Sequence, residues 1–230
     1  MRKVSVIGLG YVGLTFSTCL AARGFMVYGV DIDRRKRELI SKGRPPIYEE
    51  GLEHLLEKAI SEGFLKITGN FGEAILGSDI TFICVGTPSK PDGSVDLSQV
   101  EDASRRIGKA LREKEGYHLV VVRSTVPPGT TEELVRGCLE SESGRRVGRD
   151  VGLCFNPEFL SEGNAIKGIM NPDRIIIGAI DERSGKLLLE LYQDFYSDKL
   201  PPILLTNPVN AELIKYANNA FLAMKISFAN

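Results

Sequence analysis

The chain has 230 residues, in which 29 Lys and Arg balance 30 Asp and Glu, so the formal net charge is -1 and no excess of either sign attracts it to nucleic acid or to an anionic membrane. Its 43% of hydrophobic residues can form a sizeable core, while the apolar runs are too short and too often interrupted to span a bilayer, which excludes a transmembrane protein. The N-terminal segment MRKVSVIGLGYVG has no signal-peptide cleavage pattern, which predicts a cytoplasmic protein.

Short apolar runs alternate with longer segments of helical period along most of the chain. This pattern is typical of repeated βα units and predicts an α/β fold of the Rossmann type, with a doubly wound, mostly parallel sheet. Strands are predicted near Lys3 to Ile7, Met26 to Val30, Ile80 to Val85, Leu119 to Arg123, Val151 to Phe155, Arg174 to Gly178 and Ile203 to Thr206, and a short edge strand around Lys66 to Thr68 is compatible with the pattern. Helices are predicted near Val12 to Arg23, Arg34 to Lys42, Gly51 to Glu62, Leu97 to Glu113, Thr130 to Cys138, Pro157 to Ile166 and Glu182 to Tyr196.

The last segment, residues 208–230, has the composition of a helix with apolar residues on more than one face. A helix with this much apolar surface normally packs against something. We therefore expect the chain to be the front portion of a longer protein or one member of an assembly.

A glycine-rich turn follows the first predicted strand. Gly8, Gly10 and Gly13 stand in G-x-G-x-x-G register. The first glycine permits a tight turn, the second a close approach of a diphosphate to the backbone, and the third a close contact of helix with strand. Tyr11 and Val12, at the opening of the following helix, are candidate cofactor contacts, because the free N–H groups and positive dipole end of that helix favour a diphosphate.

An acidic residue strengthens this motif, which is weak alone. Asp31 ends the second predicted strand, 18 residues after Gly13, where a carboxylate can accept both ribose hydroxyls of adenosine and would repel a 2′-phosphate. The order of strand, turn, helix, strand and acid favours NAD over NADP. Arg34, Arg35 and Lys36 would favour a 2′-phosphate, but a solvated helix start explains these charges better; Lys36 is kept as a candidate cofactor contact.

The four cysteines, Cys19, Cys84, Cys138 and Cys154, match no zinc spacing, and no metal site is predicted. They are expected to be buried free thiols in a reducing compartment. A thiol inside an apolar strand, as Cys84 is predicted to be, has a raised pKa and low reactivity.

Three further motifs stand at predicted strand ends: FICVGTP at Phe82 to Pro88, RSTVPPGT at Arg123 to Thr130, and NPEFLSEG at Asn156 to Gly163. Together with GLGYVG and the terminal AELIKYANNAFLAMKISFAN, they resemble the NAD-dependent nucleotide-sugar 6-dehydrogenases, the UDP-glucose/GDP-mannose dehydrogenase family. The resemblance covers the whole chain. It stops before the second half of the family's proteins, which carries a helical dimerisation region, a second Rossmann-like domain and the nucleophilic cysteine.

The resemblance implies a four-electron oxidation of a sugar's primary alcohol to a carboxylate by two NAD molecules in succession, through a cysteine thiohemiacetal and thioester. It assigns residues 1–206 to an NAD-binding domain and residues 207–230 to the start of a linking and dimerisation helix, with a homodimer as the full-length assembly. Because none of the four cysteines stands in the family's nucleophile motif, this chain alone is expected to be inactive.

In NPEFLSEG, Asn156 is expected to cap a helix beginning at Pro157, which would place Glu158 and Glu162 four residues apart on one face. From spacing alone, two glutamates that merely complement the helix dipole are the better interpretation. The resemblance reverses this preference: it makes Glu158 the water-activating base and places Glu162 near the nicotinamide and the sugar.

Lys215 and Asn219 lie at i and i+4 of the terminal helix. The resemblance implies that both contact the reacting sugar and stabilise negative charge on its oxygen. Thr87 and Thr125 are expected beside the cofactor, and Thr125 also among the catalytic residues. Without the resemblance, turn-forming threonines and a solvated lysine would be the simpler interpretation.

The substrate stays open between nucleotide sugars. NPDRIIIG is closer to the UDP-glucose enzymes, which we prefer, whereas TPSKPDG and VVVRSTV are closer to the GDP-mannose enzymes, and UDP-N-acetyl-hexosamines are further alternatives. A simple two-electron dehydrogenase is disfavoured by NPEFLSEG. The alternative of another class is a non-catalytic NAD-binding regulatory module.

Overall fold

Residues 2–197 and 199–230 are described in a computed structural model, and they form an eight-stranded sheet with helices on both faces. The strands are β1 (Lys3–Ile7), β2 (Met26–Val30), β3 (Leu65–Thr68), β4 (Ile80–Ile83), β5 (His118–Val122), β6 (Val151–Phe155), β7 (Ile175–Ala179) and β8 (Ile203–Thr206). The helices are α1 (Tyr11–Ala22), α2 (Arg34–Ile40), α3 (Leu52–Ser61), α4 (Phe71–Leu76), α5 (Ser98–Leu111), α6 (Arg136–Ser143), α7 (Ala165–Met170), α8 (Glu182–Tyr196) and α9 (Pro208–Ala229), with a π-helical turn over Thr131–Val135 leading into α6.

The strand order is β3-β2-β1-β4-β5-β6-β7-β8, and every neighbouring pair is parallel apart from β6 and β7. The predicted Rossmann-type, mostly parallel sheet is thereby confirmed. The chain winds outward in opposite directions from β1 and β4, so a crevice opens at the carboxyl ends of these two strands. All residues of β5 and β6 are buried, as expected for central strands covered on both faces.

The antiparallel strand β7 pairs with β6 only at its end, through Cys154 with Ala179 and Phe155 with Gly178. Gly178 in turn pairs with Thr206, the last residue of β8. The chain therefore leaves β8 level with the carboxyl end of β6. Helix α9 starts two residues later and therefore lies at the carboxyl edge of the sheet, where the crevice also opens.

The predicted helix from Pro157 to Ile166 is wrong. Residues 156–164, hereafter the acidic loop, are irregular, and the helix begins only at Ala165. The side chain of Asn156 cannot cap a helix because it is buried, accepting hydrogen bonds from Arg123 and Tyr192 and donating to the Ile176 carbonyl at 2.8 Å.

The carboxylate of Glu158 also works against a helix in this segment. It accepts from the Leu160 amide at 2.6 Å, a local bond between near neighbours that competes with helical hydrogen bonding. Glu158 and Glu162 therefore do not share a helix face.

Two smaller differences concern helices. The predicted helix from Thr130 to Cys138 begins as the π-helical turn and continues in α6 as far as Ser143. Helix α4 was not predicted; its signal in the sequence is Asn70, whose side chain accepts from the Glu73 amide and caps the helix.

Across the described ranges, 2–197 and 199–230, no helix combines the length and apolar character needed to cross a membrane.

A chain of buried polar side chains lies at the opposite, amino end of the central strands. The Ser78 hydroxyl donates to Ser5 at 3.0 Å, Ser5 and Thr81 share a hydrogen bond of 2.7 Å, and Thr81 lies 2.7 Å from Nε2 of His118. Burial lowers the pKa of His118 to about 3, so the imidazole is neutral at physiological pH.

This neutral histidine predicts acid sensitivity. In the unfolded chain a histidine takes up a proton near pH 6.5, while native His118 does not until about pH 3, so the free energy of unfolding falls as the pH drops below 6.5. Between pH 7.5 and 5 we expect His118 to account for a loss of about 2 kcal/mol in urea unfolding. His118→Gln should remove this loss, and His54→Gln, at the exposed second histidine, should keep it. An unchanged pH slope in His118→Gln would contradict the assignment.

Candidate functional site

The crevice between the carboxyl ends of β1 and β4 has a volume of about 630 Å³. Its walls come from the glycine turn (residues 8–13), the end of β2, the segment after β4 and the start of α5. Of the predicted cofactor residues, Gly8, Gly10, Asp31 and Lys36 line it.

The three glycines of the turn meet different constraints. Gly8 has φ +92, and a Cβ there would lie 2.8 Å from the Cys84 carbonyl oxygen. A Cβ on Gly13 would lie 1.8 Å from the Gly8 carbonyl oxygen, so α1 packs against the turn only because this residue is glycine. A Cβ on Gly10 would meet no atom within 4 Å. The free space beside Gly10 lies on the crevice and leaves room for a ligand.

Asp31 is buried and organises this turn as well as lining the crevice. Its Oδ2 accepts from the Leu9 amide at 2.9 Å and from Lys36 Nζ at 3.0 Å, and its Oδ1 accepts from the Asp33 amide at 2.9 Å. Lys36 is therefore an ion-pair partner of Asp31 rather than a solvated charge of the helix start.

Sequence reasoning missed several residues of the crevice. Ile32 follows Asp31 and is 72% exposed, and Phe71 at the start of α4 and Gln99 in α5 line the same wall. An isoleucine directly after the predicted strand-ending acid is the signal that the sequence offers, and its exposure in the structure favours ligand contact. Phe71 and Gln99 reach the crevice only through the tertiary packing of their helices.

The two predicted threonines are brought together. Thr87 follows β4, and Thr125 lies in the proline loop (residues 123–130) after β5. The Thr87 hydroxyl donates to the Thr125 carbonyl at 2.9 Å, and the Ser124 hydroxyl donates to the Val85 carbonyl at 2.7 Å. These bonds hold the proline loop against the segment that lines the crevice.

Lys215 of α9 and Glu158 of the acidic loop form a buried ion pair. Their side chains are 6% and 12% exposed, and Lys215 Nζ donates to Glu158 Oε1 at 2.9 Å and to the Glu158 carbonyl at 2.6 Å. The predicted lysine and carboxylate therefore meet across 57 residues of sequence. This contact excludes the interpretation of Lys215 as a solvated surface residue.

Glu212, one turn before Lys215, is a residue that sequence reasoning missed. Its carboxylate accepts from the Gly129 amide at 2.6 Å and from the amide and hydroxyl of Thr131 at 2.9 and 2.6 Å. Burial raises the pKa of Glu212. The first turn of the π-helical segment is thus held by α9, in the way that a capping side chain holds a helix start.

Asn219 and Glu162 are not part of this cluster. Both are exposed, and within residues 2–197 and 199–230 neither side chain forms a hydrogen bond to Glu158 or Lys215. Glu162 lies near Tyr11 instead: burial, the hydrogen bond to Glu49 and the negative charges of Glu49 and Glu162 raise the pKa of Tyr11 to about 12.

The cysteines are all buried free thiols, as predicted. Cys84 lies directly after β4 under the glycine turn, and burial raises its pKa to about 12. Its thiolate is therefore negligible near neutral pH, and none of the four thiols has the surroundings of a nucleophile.

Comparison with known proteins agrees with this geometry. A family model described as "UDP-glucose/GDP-mannose dehydrogenase family, NAD binding domain" matches residues 2–196. The GDP-mannose 6-dehydrogenase of Pseudomonas syringae pv. syringae is 46% identical over 228 residues, which are 99% of this chain and 51% of the relative.

Two solved structures superpose closely. A GDP-mannose dehydrogenase from Pseudomonas aeruginosa, solved as a ternary complex, has a TM-score of 0.95 and 46% identity, covering 100% of this chain and 52% of that one. A UDP-glucose dehydrogenase from Pyrobaculum islandicum has a TM-score of 0.93 and 48% identity, with the same coverage of 100% and 52%. The chain thus spans about half the length of the relatives it matches, and NAD is the cofactor of the matched domain.

The contrast between Gly10 and Gly13 predicts opposite effects of the same substitution. Gly10→Ala adds a methyl group in open space at a φ of -74, so the free energy of unfolding should stay within about 0.5 kcal/mol of wild type while NAD binds at least about tenfold more weakly. Gly13→Ala should lower the free energy of unfolding by about 1–3 kcal/mol, because the turn must move. Urea unfolding and calorimetric titration with NAD measure both. Equal effects of the two substitutions on stability would refute this description of the turn.

Proposed function

The chain belongs to the UDP-glucose/GDP-mannose dehydrogenase family, and from this membership we propose that it is the NAD-binding half of a nucleotide-sugar 6-dehydrogenase. The observation that carries the proposal is the buried ion pair of Lys215 and Glu158 at the carboxyl edge of the sheet, where the NAD crevice also opens. Residues 1–206 would form the NAD-binding domain and residues 207–230 the start of a linking helix.

The chain's own residues fit NAD. The space beside Gly10 admits a diphosphate, and the N–H groups of Tyr11 and Val12, in the first turn of α1, have no carbonyl of their own helix to bind. The Asp31 carboxylate would accept the adenosine ribose hydroxyls and repel a 2′-phosphate, a preference that titration with NADP tests. Further contacts are assigned to Lys36, Thr87, Thr125 and Glu162. When bound, NAD supplies the acceptor for the hydride that leaves the sugar.

The remaining groups would act on the sugar nucleotide. The Lys215 ammonium can stabilise negative charge on the sugar oxygen, and the Glu158 carboxylate can take a proton from water. The Lys215 ammonium can donate a proton and the Glu158 carboxylate can accept one, and in the ion pair Lys215 Nζ lies 2.9 Å from Glu158 Oε1. Asn219 and Thr125 would help to orient the sugar.

For the substrate we propose UDP-glucose. Support comes from NPDRIIIG and from the 48% identity to a UDP-glucose dehydrogenase. The 46% identity to GDP-mannose dehydrogenases keeps GDP-mannose as the alternative, with UDP-N-acetyl-hexosamines behind it. Oxidation to the uronate also needs a nucleophilic sulfur, and the four buried thiols of this chain are unsuited to supply it.

The function is tested by NADH formation with UDP-glucose and with GDP-mannose, followed by chromatography for the uronate. The 230 residues alone should bind NAD but accumulate neither uronate. A form of the protein that also carries the family's second half should turn over, and Lys215→Ala should lower its kcat by about 100-fold through the loss of oxyanion stabilisation. Lys186→Ala, at an exposed lysine of α8, is the control and should leave kcat unchanged.

Two results would count against the proposal. If the longer form oxidised neither nucleotide sugar, the assigned reaction would be wrong. If the 230 residues alone accumulated a uronate, the nucleophile would lie within this chain, and Cys84→Ser would be the first substitution to examine.

The exposed part of α9 suggests a further property of the same protein. Phe221, Met224, Ile226 and Phe228 are each more than half exposed, which is unusual for large apolar residues along one helix. We propose that this surface supports a homodimer in the full-length protein.

Self-association is measured by sedimentation velocity. We expect a dimer that Ile226→Glu converts to a monomer, because a buried unpaired carboxylate opposes association. If the chain is instead monomeric, hydrogen exchange over residues 220–229 should be fast. A monomer whose terminal helix is fully protected from exchange would contradict the proposal.

A further inference from the structure

Glu49 is a buried carboxylate in a segment that is otherwise mostly exposed. Glu49 lies in the connection between α2 and α3 and is only 5% exposed, whereas its neighbours Tyr48 and Glu50 are exposed. Burying a carboxylate costs several kcal/mol unless its oxygens are bound. Its contacts therefore indicate what it does.

The contacts of Glu49 join two loops of the site. Its Oε2 accepts from the Tyr11 hydroxyl and from the Gly163 amide at 3.0 Å, and its Oε1 accepts from the Ala165 amide at 2.7 Å. The Gly163 amide also donates to the Tyr11 oxygen at 2.8 Å. Glu49 forms no ion pair with a lysine or arginine in the described part of the chain. Its charge is balanced by backbone amides at the end of the acidic loop and the start of α7.

Tyr11 connects this cluster to the cofactor turn. It is the first residue of α1 and follows Gly10, so its backbone belongs to the turn that we propose binds the diphosphate, while its side chain reaches Glu49. The acidic loop is consequently held at two points: at Glu158 by Lys215, and at Gly163 by the pair of Glu49 and Tyr11.

We propose that Glu49 is a positioning residue which, through Tyr11, couples occupancy of the dinucleotide turn to the placement of the acidic loop. Glu49 touches neither the crevice nor Glu158, so it acts through the Tyr11 hydroxyl and the two backbone amides that it binds. Because Tyr11 follows Gly10 in the turn, NAD bound there would restrain the Tyr11 backbone, and the hydroxyl that bonds Glu49 and Gly163 would carry this restraint to the acidic loop. The role of the loop in catalysis rests on the proposed function, but the coupling itself does not.

A purely structural helix cap would satisfy the same amides without responding to cofactor. The two roles differ in the effect of NAD, because coupling is reciprocal: whatever NAD adds to the order of the loop, the intact loop adds to the affinity for NAD. Tyr11→Phe separates them, since it removes the hydroxyl and leaves the Glu49 bonds to Gly163 and Ala165.

The experiment is residue-resolved hydrogen exchange at the Gly163 and Ala165 amides, with and without NAD, with the Leu119 amide of β5 as a reporter of global stability. In wild type, NAD should slow exchange at both loop amides at least fivefold beyond its effect on Leu119. Tyr11→Phe should keep slow exchange without NAD and lose the extra protection with NAD. Glu49→Gln should exchange at least tenfold faster at one of the two amides, because glutamine keeps a single accepting oxygen and its NH2 nitrogen cannot accept a hydrogen bond from the other amide.

Glu50→Gln is the matched control and should behave as wild type. The affinity for NAD in Tyr11→Phe should fall by the same factor as the protection that is lost. Extra protection by NAD that persists in Tyr11→Phe would overturn the coupling, and unchanged exchange in Glu49→Gln would overturn the positioning role. If Glu49→Gln does not fold, the Tyr11→Phe comparison decides alone. Failure of the proposed function would be seen separately, as NAD binding without oxidation of a nucleotide sugar by the longer form.

Discussion

The loops that form the site carry backbone N–H groups that neither strand nor helix satisfies, because the chain leaves regular structure at the carboxyl edge of the sheet. Buried carboxylates from distant parts of the sequence bind these groups. The pairings are Asp31 with Leu9 in the glycine turn, Glu49 with Gly163 and Ala165 at the end of the acidic loop and the start of α7, and Glu212 with Gly129 and Thr131 at the end of the proline loop and the start of the π-helical turn. The conformation of each loop thus depends on a residue outside it.

The energetics favour a sharply defined arrangement. A buried carboxylate costs several kcal/mol to desolvate, and each hydrogen bond to a charged group returns about 1.5–3 kcal/mol. Two or three such bonds are needed to offset the cost, and both Glu49 and Glu212 accept three. A loop that moves away from its carboxylate leaves several buried donors unsatisfied at once, because an intermediate position offers these donors no other acceptor.

Helix α9 fixes the positions of the proline loop and the acidic loop relative to each other. Glu212 and Lys215 are three residues apart and so lie on one face of the helix, where the first contacts the proline loop and the second the acidic loop. A shift of α9 would displace Thr125 and Glu158 together. The buried polar face of α9 consequently links the catalytic groups we propose, while the later turns of the helix leave large apolar residues exposed.

Local patterns in the sequence were enough to determine the layered sheet and the dinucleotide turn. Buried strands such as β5 and β6 read as continuous apolar runs, and the three glycines have steric requirements that a few neighbouring residues impose. The acid at the end of β2 follows from the same local order.

The acidic loop and its supports were decided by tertiary structure. NPEFLSEG has the pattern of a helix start, yet Asn156 is drawn into the core by Arg123 and Tyr192, and Glu158 is drawn to Lys215. No local sequence pattern marks Glu49 or Glu212, because the backbone amides that they bind lie 81 to 116 residues away along the chain. A sequence pattern records the preferences of neighbours along the chain, whereas a buried carboxylate is stable only where folding places enough donors around it.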